Sequence, residues 1–160
     1  MKVRDIMETR LQAVSPDVPV LEAVTTMSEQ HLSALPVLDL GGAIVGVIST
    51  TDVLQAEAEA DDAEARAALF ESSNVSDLMT ARVRTIEASA EIADAAQQML
   101  YLDVHRLFVV EEDKLVGVVS QTDIVRAVAD QLRLAEARAQ GAVAHHPGRR
   151  HRGPGKTPLV

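Results

Sequence analysis

The 160-residue chain contains no cysteine and no tryptophan, and aromatic residues make up only 2% of it. Without cysteine, the sequence excludes disulfides, thiolate metal sites and cysteine nucleophiles. With so few aromatic rings, binding of single-stranded nucleic acid by base stacking is not expected. No apolar run approaches the roughly 20 residues that cross a bilayer, and the polar start of the chain is unlike a signal peptide. We therefore expect a soluble, cytoplasmic protein without a membrane partner.

Basic charge is scarce and unevenly placed. The chain has 15 Lys and Arg against 24 Asp and Glu, a formal net charge of −9. Four of the basic residues lie within 141–160, which holds no acid, so 11 basic and 24 acidic residues precede it. A body this acidic repels a phosphate backbone, which makes nucleic acid a poor partner. The Gly-, Pro-, His- and Arg-rich residues 141–160 predict a disordered basic tail.

The chain repeats itself at an offset of 72 residues, which later becomes 71. Val-Arg-Asp-Ile-Met, beginning at Val3, matches Val-Ser-Asp-Leu-Met, beginning at Val75. Further along, Gly-Val-Ile-Ser-Thr-Thr-Asp, ending at Asp52, matches Gly-Val-Val-Ser-Gln-Thr-Asp, ending at Asp123. We therefore predict two repeats followed by the tail. The predicted segments are 1–71, 72–140 and 141–160.

Both repeats have the same predicted order of elements, β-α-β-β-α. Each starts with a short extended piece, at residues 12–14 and 84–86, and continues with an amphipathic helix. The predicted apolar faces of these helices are Val20, Leu21, Val24 and Met27, and Ile92, Ala96, Met99 and Leu100. Two apolar runs joined by a polar turn then predict a β-hairpin, and a Ser/Thr/Asp cluster predicts the start of a closing helix. The first closing helix is expected to continue to Leu69, and the second to stop at Gly141.

The opening and closing motifs resemble those of cystathionine β-synthase (CBS) domains, V-x-D-[IL]-M and G-[VI]-[VI]-S-x-T-D. Both motifs occur in both copies, and the likeness covers roughly residues 1–135. Two tandem CBS domains form what is called a Bateman module. The resemblance implies an α/β (α+β) fold of two repeats that pack pseudo-symmetrically through their sheets. It also implies ligand clefts between the repeats and pairing of modules into a homodimer.

The residues at the end of each hairpin are suited to nucleotide binding. A carboxylate at the start of a helix can accept ribose hydroxyls, while nearby Ser and Thr can donate to phosphate oxygens. The same residue types are also helix N-caps, so capping alone is the alternative. The two groups are Ser120, Thr122 and Asp123, and Ser49, Thr51 and Asp52.

The resemblance further implies that each group faces the other repeat. By motif position, the Asp123 pocket would be completed by Val14, Ser15, Leu32, Ser33 and Ala34, and the Asp52 pocket by Ile86, Val104 and His105. Arg106 is expected to bind phosphate, because its guanidinium offers two parallel donors. Its counterpart is Ala34, so we expect unequal sites, with phosphate bound at the Asp123 pocket; the alternative is that Arg106 reaches the ligand of either pocket. His105 is either a phosphate donor or a packed cleft histidine.

The expected function is that of a non-catalytic ligand sensor. The sequence has no nucleophile–base set, Gly-rich phosphate loop or zinc-hydrolase motif, and no metal site is expected from the tail histidines. The expected ligand is AMP, ADP or ATP, with S-adenosylmethionine, NAD and cyclic dinucleotides as alternatives, and no cofactor is required. A separate effector protein is the expected partner. The alternative is a ligand-free CBS dimer that acts as an interaction scaffold.

Overall fold

A computed structural model of the chain describes residues 1–143. From residue 144 onwards, the predicted disordered tail lies outside the described residues. The chain divides into two units, Met1–Val125 and a second that begins at Arg126. Within the described part, none of the helices is long and apolar enough to cross a membrane.

The elements follow the predicted order, which confirms the mixed α/β class. After a 3-10 turn at Val3–Asp5, the first repeat forms α1 (Val20–Glu29), β1 (Ala34–Leu38), β2 (Ile44–Ser49), α2 (Thr50–Glu59) and α3 (Ala63–Glu71). The second repeat forms α4 (Val75–Leu78), β3 (Thr85–Glu87), α5 (Ile92–Leu102), β4 (Arg106–Glu111), β5 (Lys114–Ser120) and α6 (Gln121–Val143). Of the second unit, the structure describes the part that belongs to α6, from Arg126 to Val143.

Each predicted hairpin is an antiparallel pair, β1 with β2 and β4 with β5. Strand β3 pairs parallel to β4, so the second sheet has three strands. In the first repeat, the predicted extended piece forms one isolated parallel bridge, from Val14 to Val37. The Val14 N–H donates to the Pro36 carbonyl at 3.1 Å, and the Val14 carbonyl accepts from the Leu38 N–H at 2.9 Å. The first sheet therefore has two full strands.

Two predicted helix ends are wrong. The first closing helix does not continue unbroken to Leu69, because α2 ends at Glu59 and a separate α3 follows. Asp62 is the N-cap of α3, and its carboxylate accepts from the Ala65 N–H at 2.8 Å. Asp is among the best N-cap residues, so it starts a new helix here. In α6, Gly141 lies inside the helix, because a glycine costs only about 1 kcal/mol relative to alanine and need not end it.

The buried faces of α1 and α5 are narrower than predicted. Met27 of α1 is buried as expected, but Leu21 is 51% exposed. In α5, Ala95 and Met99 are buried, whereas Leu100 is 77% exposed. The core takes one row of small and flexible side chains from each helix. The leucines beside that row remain at the surface.

Each repeat contributes its opening segment to the hydrophobic core of the other. Val3 is fully buried in one cluster with Leu107 of the second repeat, and Val75 is fully buried in another with Leu35 of the first. The Val3 N–H also donates to the Ala90 carbonyl at 2.9 Å. Each half of the core therefore draws on both sequence repeats. That residues 1–71 and 72–140 are separate domains stays a prediction.

Surface ion pairs also join the first opening segment to the second repeat. The Lys2 ammonium lies 2.5 Å from a Glu91 carboxylate oxygen, and the Arg4 guanidinium lies 3.4 Å from Glu111. The hydrogen bond from Lys2 holds the pKa of Glu91 below its usual value. All four side chains are about half exposed, and exposed ion pairs contribute little to stability. The packing of each opening segment against the other repeat therefore depends mainly on buried apolar contacts.

A methionine of each opening segment lies against a glycine in the hairpin of the other repeat. A Cβ atom added at Gly46 would lie 2.6 Å from the Met79 sulfur and 3.1 Å from a backbone carbonyl oxygen. At Gly117, the corresponding distances are 2.8 Å to the Met7 sulfur and 3.0 Å to a carbonyl oxygen. A backbone that must approach another segment this closely requires glycine. This contact explains the glycine that begins both closing motifs.

We expect Gly117→Ala to lower the free energy of unfolding by about 1–3 kcal/mol, the usual cost of overpacking. The new methyl group must displace both Met7 and the backbone that follows it. Urea titrations followed by circular dichroism measure the change. Gly41→Ala is the matched control, because its Cβ would meet only its neighbour Asp39, at 3.4 Å. Equal unfolding midpoints for the two variants would contradict the close contact.

Candidate ligand-binding cavity

Both predicted carboxylates cap the closing helices. At the start of α6, Asp123 Oδ2 accepts from the Ser120 N–H at 2.9 Å and from the Ser120 hydroxyl at 2.7 Å. Ser120 Oγ in turn accepts from the Asp123 N–H at 3.2 Å. At α2, Asp52 and Ser49 form the same three bonds, at 2.7, 2.8 and 3.2 Å. In each cap, the carboxylate oxygen Oδ2 accepts both bonds from the serine, which fixes the orientation of the carboxylate.

The surroundings of Asp52 are acidic. Its second carboxylate oxygen accepts from the Thr80 hydroxyl at 3.3 Å. A cavity of about 260 Å³ adjoins it, here called the acidic cavity, with Asp52, Glu59, Asp77, Gln55, Ala56 and Leu78 in its lining. The side chains of residues 1–143 include no group of three or more His, Asp or Glu arranged to hold a metal ion. A lining of carboxylates disfavours a phosphate-bearing ligand.

A larger cavity of about 390 Å³ is lined by strands of both sheets. We call it the inter-sheet cavity, and its volume falls within the roughly 300–1,000 Å³ of small-molecule sites. Its apolar wall comprises Leu11, Leu32, Ala34, Pro36, Phe108 and Val118. Its polar lining comprises Glu8, Arg10, Gln12, Gln30 and Arg106. The structure thus brings together three of the predicted site residues, Leu32, Ala34 and Arg106.

Arg106 connects the inter-sheet cavity to the start of α6. In the antiparallel pair of β4 and β5, Arg106 lies directly opposite Ser120, the serine that holds Asp123. Directly opposite residues project from the same face of a sheet, with Cβ atoms roughly 5 Å apart. In the first repeat, the residue opposite Ser49 is Ala34. Arg106 and Ala34 therefore occupy equivalent positions in the two sheets, each opposite a capping serine.

Hydrogen bonds at the strand starts join three of the predicted site residues to their own repeat. The Thr50 N–H donates to the Ser33 carbonyl at 2.9 Å, and the Gln121 N–H donates to the His105 carbonyl at 3.0 Å. The Gln121 side chain also donates to the Val104 carbonyl at 3.2 Å and lies 3.3 Å from His105 Nδ1. Ser33, Val104 and His105 therefore contact the helix start of their own repeat. The reason is that an antiparallel hairpin brings the start of one strand beside the end of the next.

The other predicted residues lie outside the inter-sheet cavity. Val14 and Ile86 are each 8% exposed and pack in the two hydrophobic clusters. Ser15, Thr51 and Thr122 are exposed. The Asp123 side chain does not line the inter-sheet cavity either, although its partner Ser120 shares a face with Arg106. That these residues contact a ligand stays a prediction.

Sequence reasoning missed four polar residues of the inter-sheet cavity, namely Glu8, Arg10, Gln12 and Gln30. Glu8 pairs with Val118 of β5 through two backbone hydrogen bonds, of 2.9 and 3.0 Å. This pairing places the residues that follow the first opening motif beside the hairpin of the second repeat. In the other half, Thr80 pairs in the same way with Val47. The repeated opening motif was the available signal, but its pairing with the other repeat is a tertiary contact.

Comparison with known proteins identifies the family. The CBS domain model matches residues 3–59 and 75–130, and the chain belongs to this family as a tandem pair of CBS domains. A 17.7 kDa protein of Acidianus ambivalens is 32% identical over 130 residues, which cover 81% of this chain and 74% of that protein.

Two solved structures share the fold. The crystal structure of Arabidopsis thaliana CBSX2 in complex with AMP is 32% identical and has a TM-score of 0.67, covering 82% of this chain and 98% of CBSX2. Vibrio cholerae AcuB has a TM-score of 0.71 at 23% identity, covering 86% of this chain and 96% of AcuB. AcuB supports the fold alone. CBSX2 supplies a relative in which a CBS pair binds an adenosyl ligand.

We expect Asp123→Asn to separate the capping role from a ligand-binding role. Asparagine caps helices nearly as well as aspartate, so the free energy of unfolding should change by less than about 1 kcal/mol. Loss of charge-assisted bonds to a ribose should weaken AMP binding by about ten- to a hundred-fold. Asp52→Asn is the matched control, because Asp52 forms the same cap. Calorimetry with AMP and melting curves measure both effects, and unchanged AMP affinity in Asp123→Asn would make the carboxylate a cap only.

Proposed function

We propose that this CBS pair is a non-catalytic sensor that binds an adenine nucleotide, AMP, ADP or ATP, in the inter-sheet cavity. The observation that carries the proposal is the position of Arg106, which lines the cavity and shares a sheet face with Ser120 at the start of α6. A guanidinium there suits a phosphate, and the capped carboxylate of Asp123, which lies outside the cavity lining, suits a ribose that extends from the cavity towards the start of α6. The AMP complex of CBSX2, which is 32% identical, supports the same ligand class.

The apolar wall of the cavity suits a purine base. Leu32 and Pro36 of the first repeat and Phe108 and Val118 of the second line it from both sheets. A planar base can be buried between such walls, with backbone groups reading its edge. Of the residues that the structure describes, no basic one lines the acidic cavity beside Asp52. We therefore propose one nucleotide-binding cavity of this kind, with Asp52 acting chiefly as a helix cap.

The competing function is a scaffold whose clefts stay empty. It draws support from Ala34, which stands where an arginine would be needed in the first repeat. The two functions differ in whether ligands raise the melting temperature, because a ligand that binds only the native state stabilises it by mass action. A panel of adenosyl compounds in a thermal-shift assay distinguishes them. If none raises the melting temperature at millimolar concentration, the scaffold is the better account.

Adenine nucleotides are expected to bind at least about ten-fold more tightly than guanine nucleotides, a difference of about 1.4 kcal/mol. The expectation follows from apolar walls and backbone groups fitted to adenine, which leave the extra polar groups of guanine without partners. Calorimetric titration with ATP and GTP, under the same salt conditions, measures the ratio. Equal affinities would show that the cavity does not read the base.

We also propose that the chain forms a homodimer through its helices. On α1, α2 and α5, the side chains of Leu21, Leu54, Leu100 and Tyr101 are between 51% and 89% exposed. An apolar cavity of about 310 Å³ lies between α1 and α2, and one of about 220 Å³ lies between α5 and the first turn of α6. A second copy would cover these surfaces, since apolar patches this extended are uncommon on monomers. Such a dimer would pass a ligand-dependent change to a separate effector protein in the cytoplasm.

Leu100→Glu is expected to convert the dimer into a monomer, because it places a charge in the proposed interface. Light scattering at micromolar concentration measures the mass of both proteins. Leu40→Glu is the matched control, since Leu40 is fully exposed in the turn between β1 and β2. A monomeric wild type, or a dimer that survives Leu100→Glu, would contradict the proposed interface.

A further inference from the structure

Two arginines line the inter-sheet cavity, and only Arg106 was expected there. The other is Arg10, which follows the opening segment of the first repeat. Several basic residues of the first unit are in ion pairs, among them Lys2, Arg4 and Arg66. Within residues 1–143, by contrast, neither Arg10 nor Arg106 has a carboxylate within 4.0 Å. Two guanidiniums that form no ion pair with a described residue thus line one cavity of a chain whose formal charge is −9.

The two arginines reach the cavity from opposite sides of β5. Arg106 lies on β4, which pairs with one edge of β5. Arg10 lies two residues after Glu8, which pairs with the other edge of β5 at Val118. Alternate residues of an extended segment project to the same side, so Arg10 follows Glu8 into the cavity. An anion above Val118 would therefore meet a guanidinium on each side.

Glu8 also lines the inter-sheet cavity and contributes one negative charge to its lining. One of its carboxylate oxygens accepts from the Arg10 N–H at 2.7 Å, which occupies part of its hydrogen-bonding capacity. Two guanidiniums and one carboxylate give the lining a net positive charge. The acidic cavity beside Asp52 has the opposite sign. The linings of the two cavities therefore favour ligands of opposite charge.

We propose that Arg10 is a second anion-binding residue, and that the two arginines make the inter-sheet cavity select adenosyl ligands that carry a phosphate. This inference rests on the proposed function. The phosphate of AMP carries about two negative charges at neutral pH, which matches two guanidiniums. Adenosine offers no charge to them, and the sulfonium of S-adenosylmethionine places a positive charge among like charges. The selectivity therefore comes from the lining and not from the base or the ribose.

The test compares Arg10→Gln, Arg106→Gln, the double variant and Arg82→Gln by calorimetry with AMP, adenosine and S-adenosylmethionine. Arg82 is the sequence counterpart of Arg10, is exposed and does not line this cavity. Its replacement changes the net charge equally, so it controls for long-range electrostatics. Arg10→Gln should weaken AMP binding about ten-fold, the effect of losing one charge-assisted bond, and leave adenosine within about two-fold. The double variant should bind AMP no better than adenosine, and wild type should bind S-adenosylmethionine at least about ten-fold more weakly than AMP.

Three results would overturn the inference: AMP affinity unchanged by Arg10→Gln, equal losses for AMP and adenosine, or equal effects of Arg10→Gln and Arg82→Gln. A wild type that binds no adenosyl compound would overturn the proposed function, and pyrophosphate then tests the cavity by itself. In that case, pyrophosphate should shift the backbone amide signals of Glu8 and Val118 in wild type and in Arg82→Gln, but not in Arg10→Gln. Unshifted signals in wild type would remove the anion site as well.

Discussion

The close approach of each opening segment to the opposite hairpin is the contact on which the rest of the structure depends. Met7 lies against Gly117, and Met79 lies against Gly46, at distances that leave no room for a Cβ atom. Because the opening segments cross between the repeats, each hydrophobic cluster contains residues of both. Neither repeat can complete its core alone. The tandem arrangement is therefore a requirement of packing as well as a record of duplication.

The same crossing builds the inter-sheet cavity. After Met7, the chain pairs with the free edge of β5 at Val118, and this pairing places Glu8 and Arg10 in the lining. Further lining residues come from β1 and the segment before it and from β4 and β5, so a single cavity takes residues from three distant stretches of the chain. A change in the packing of the first opening segment would alter the cavity lining directly.

The duplicated frame carries different chemistry in its two halves. The serine–aspartate caps have nearly identical hydrogen-bond lengths, so the frame has been kept. The side chains around the caps differ, with Arg106 in one sheet and Ala34 in the other. Two guanidiniums and one carboxylate line the inter-sheet cavity, whereas three carboxylates line the acidic cavity. Charge, rather than backbone geometry, therefore distinguishes the two cavities.

The sequence by itself determined the tandem repeat, the α/β class, the hairpins and the capped starts of the closing helices, because these features depend on local patterns of apolar and capping residues. It also singled out Arg106, whose counterpart in the alignment of the two copies is Ala34, as a candidate phosphate-binding residue. Only the tertiary structure decided that Val14 is a core residue, that Ser33 contacts its own repeat, and that Arg10 shares a cavity with Arg106. These placements depend on side-chain packing between segments far apart in the chain, which local propensity does not encode.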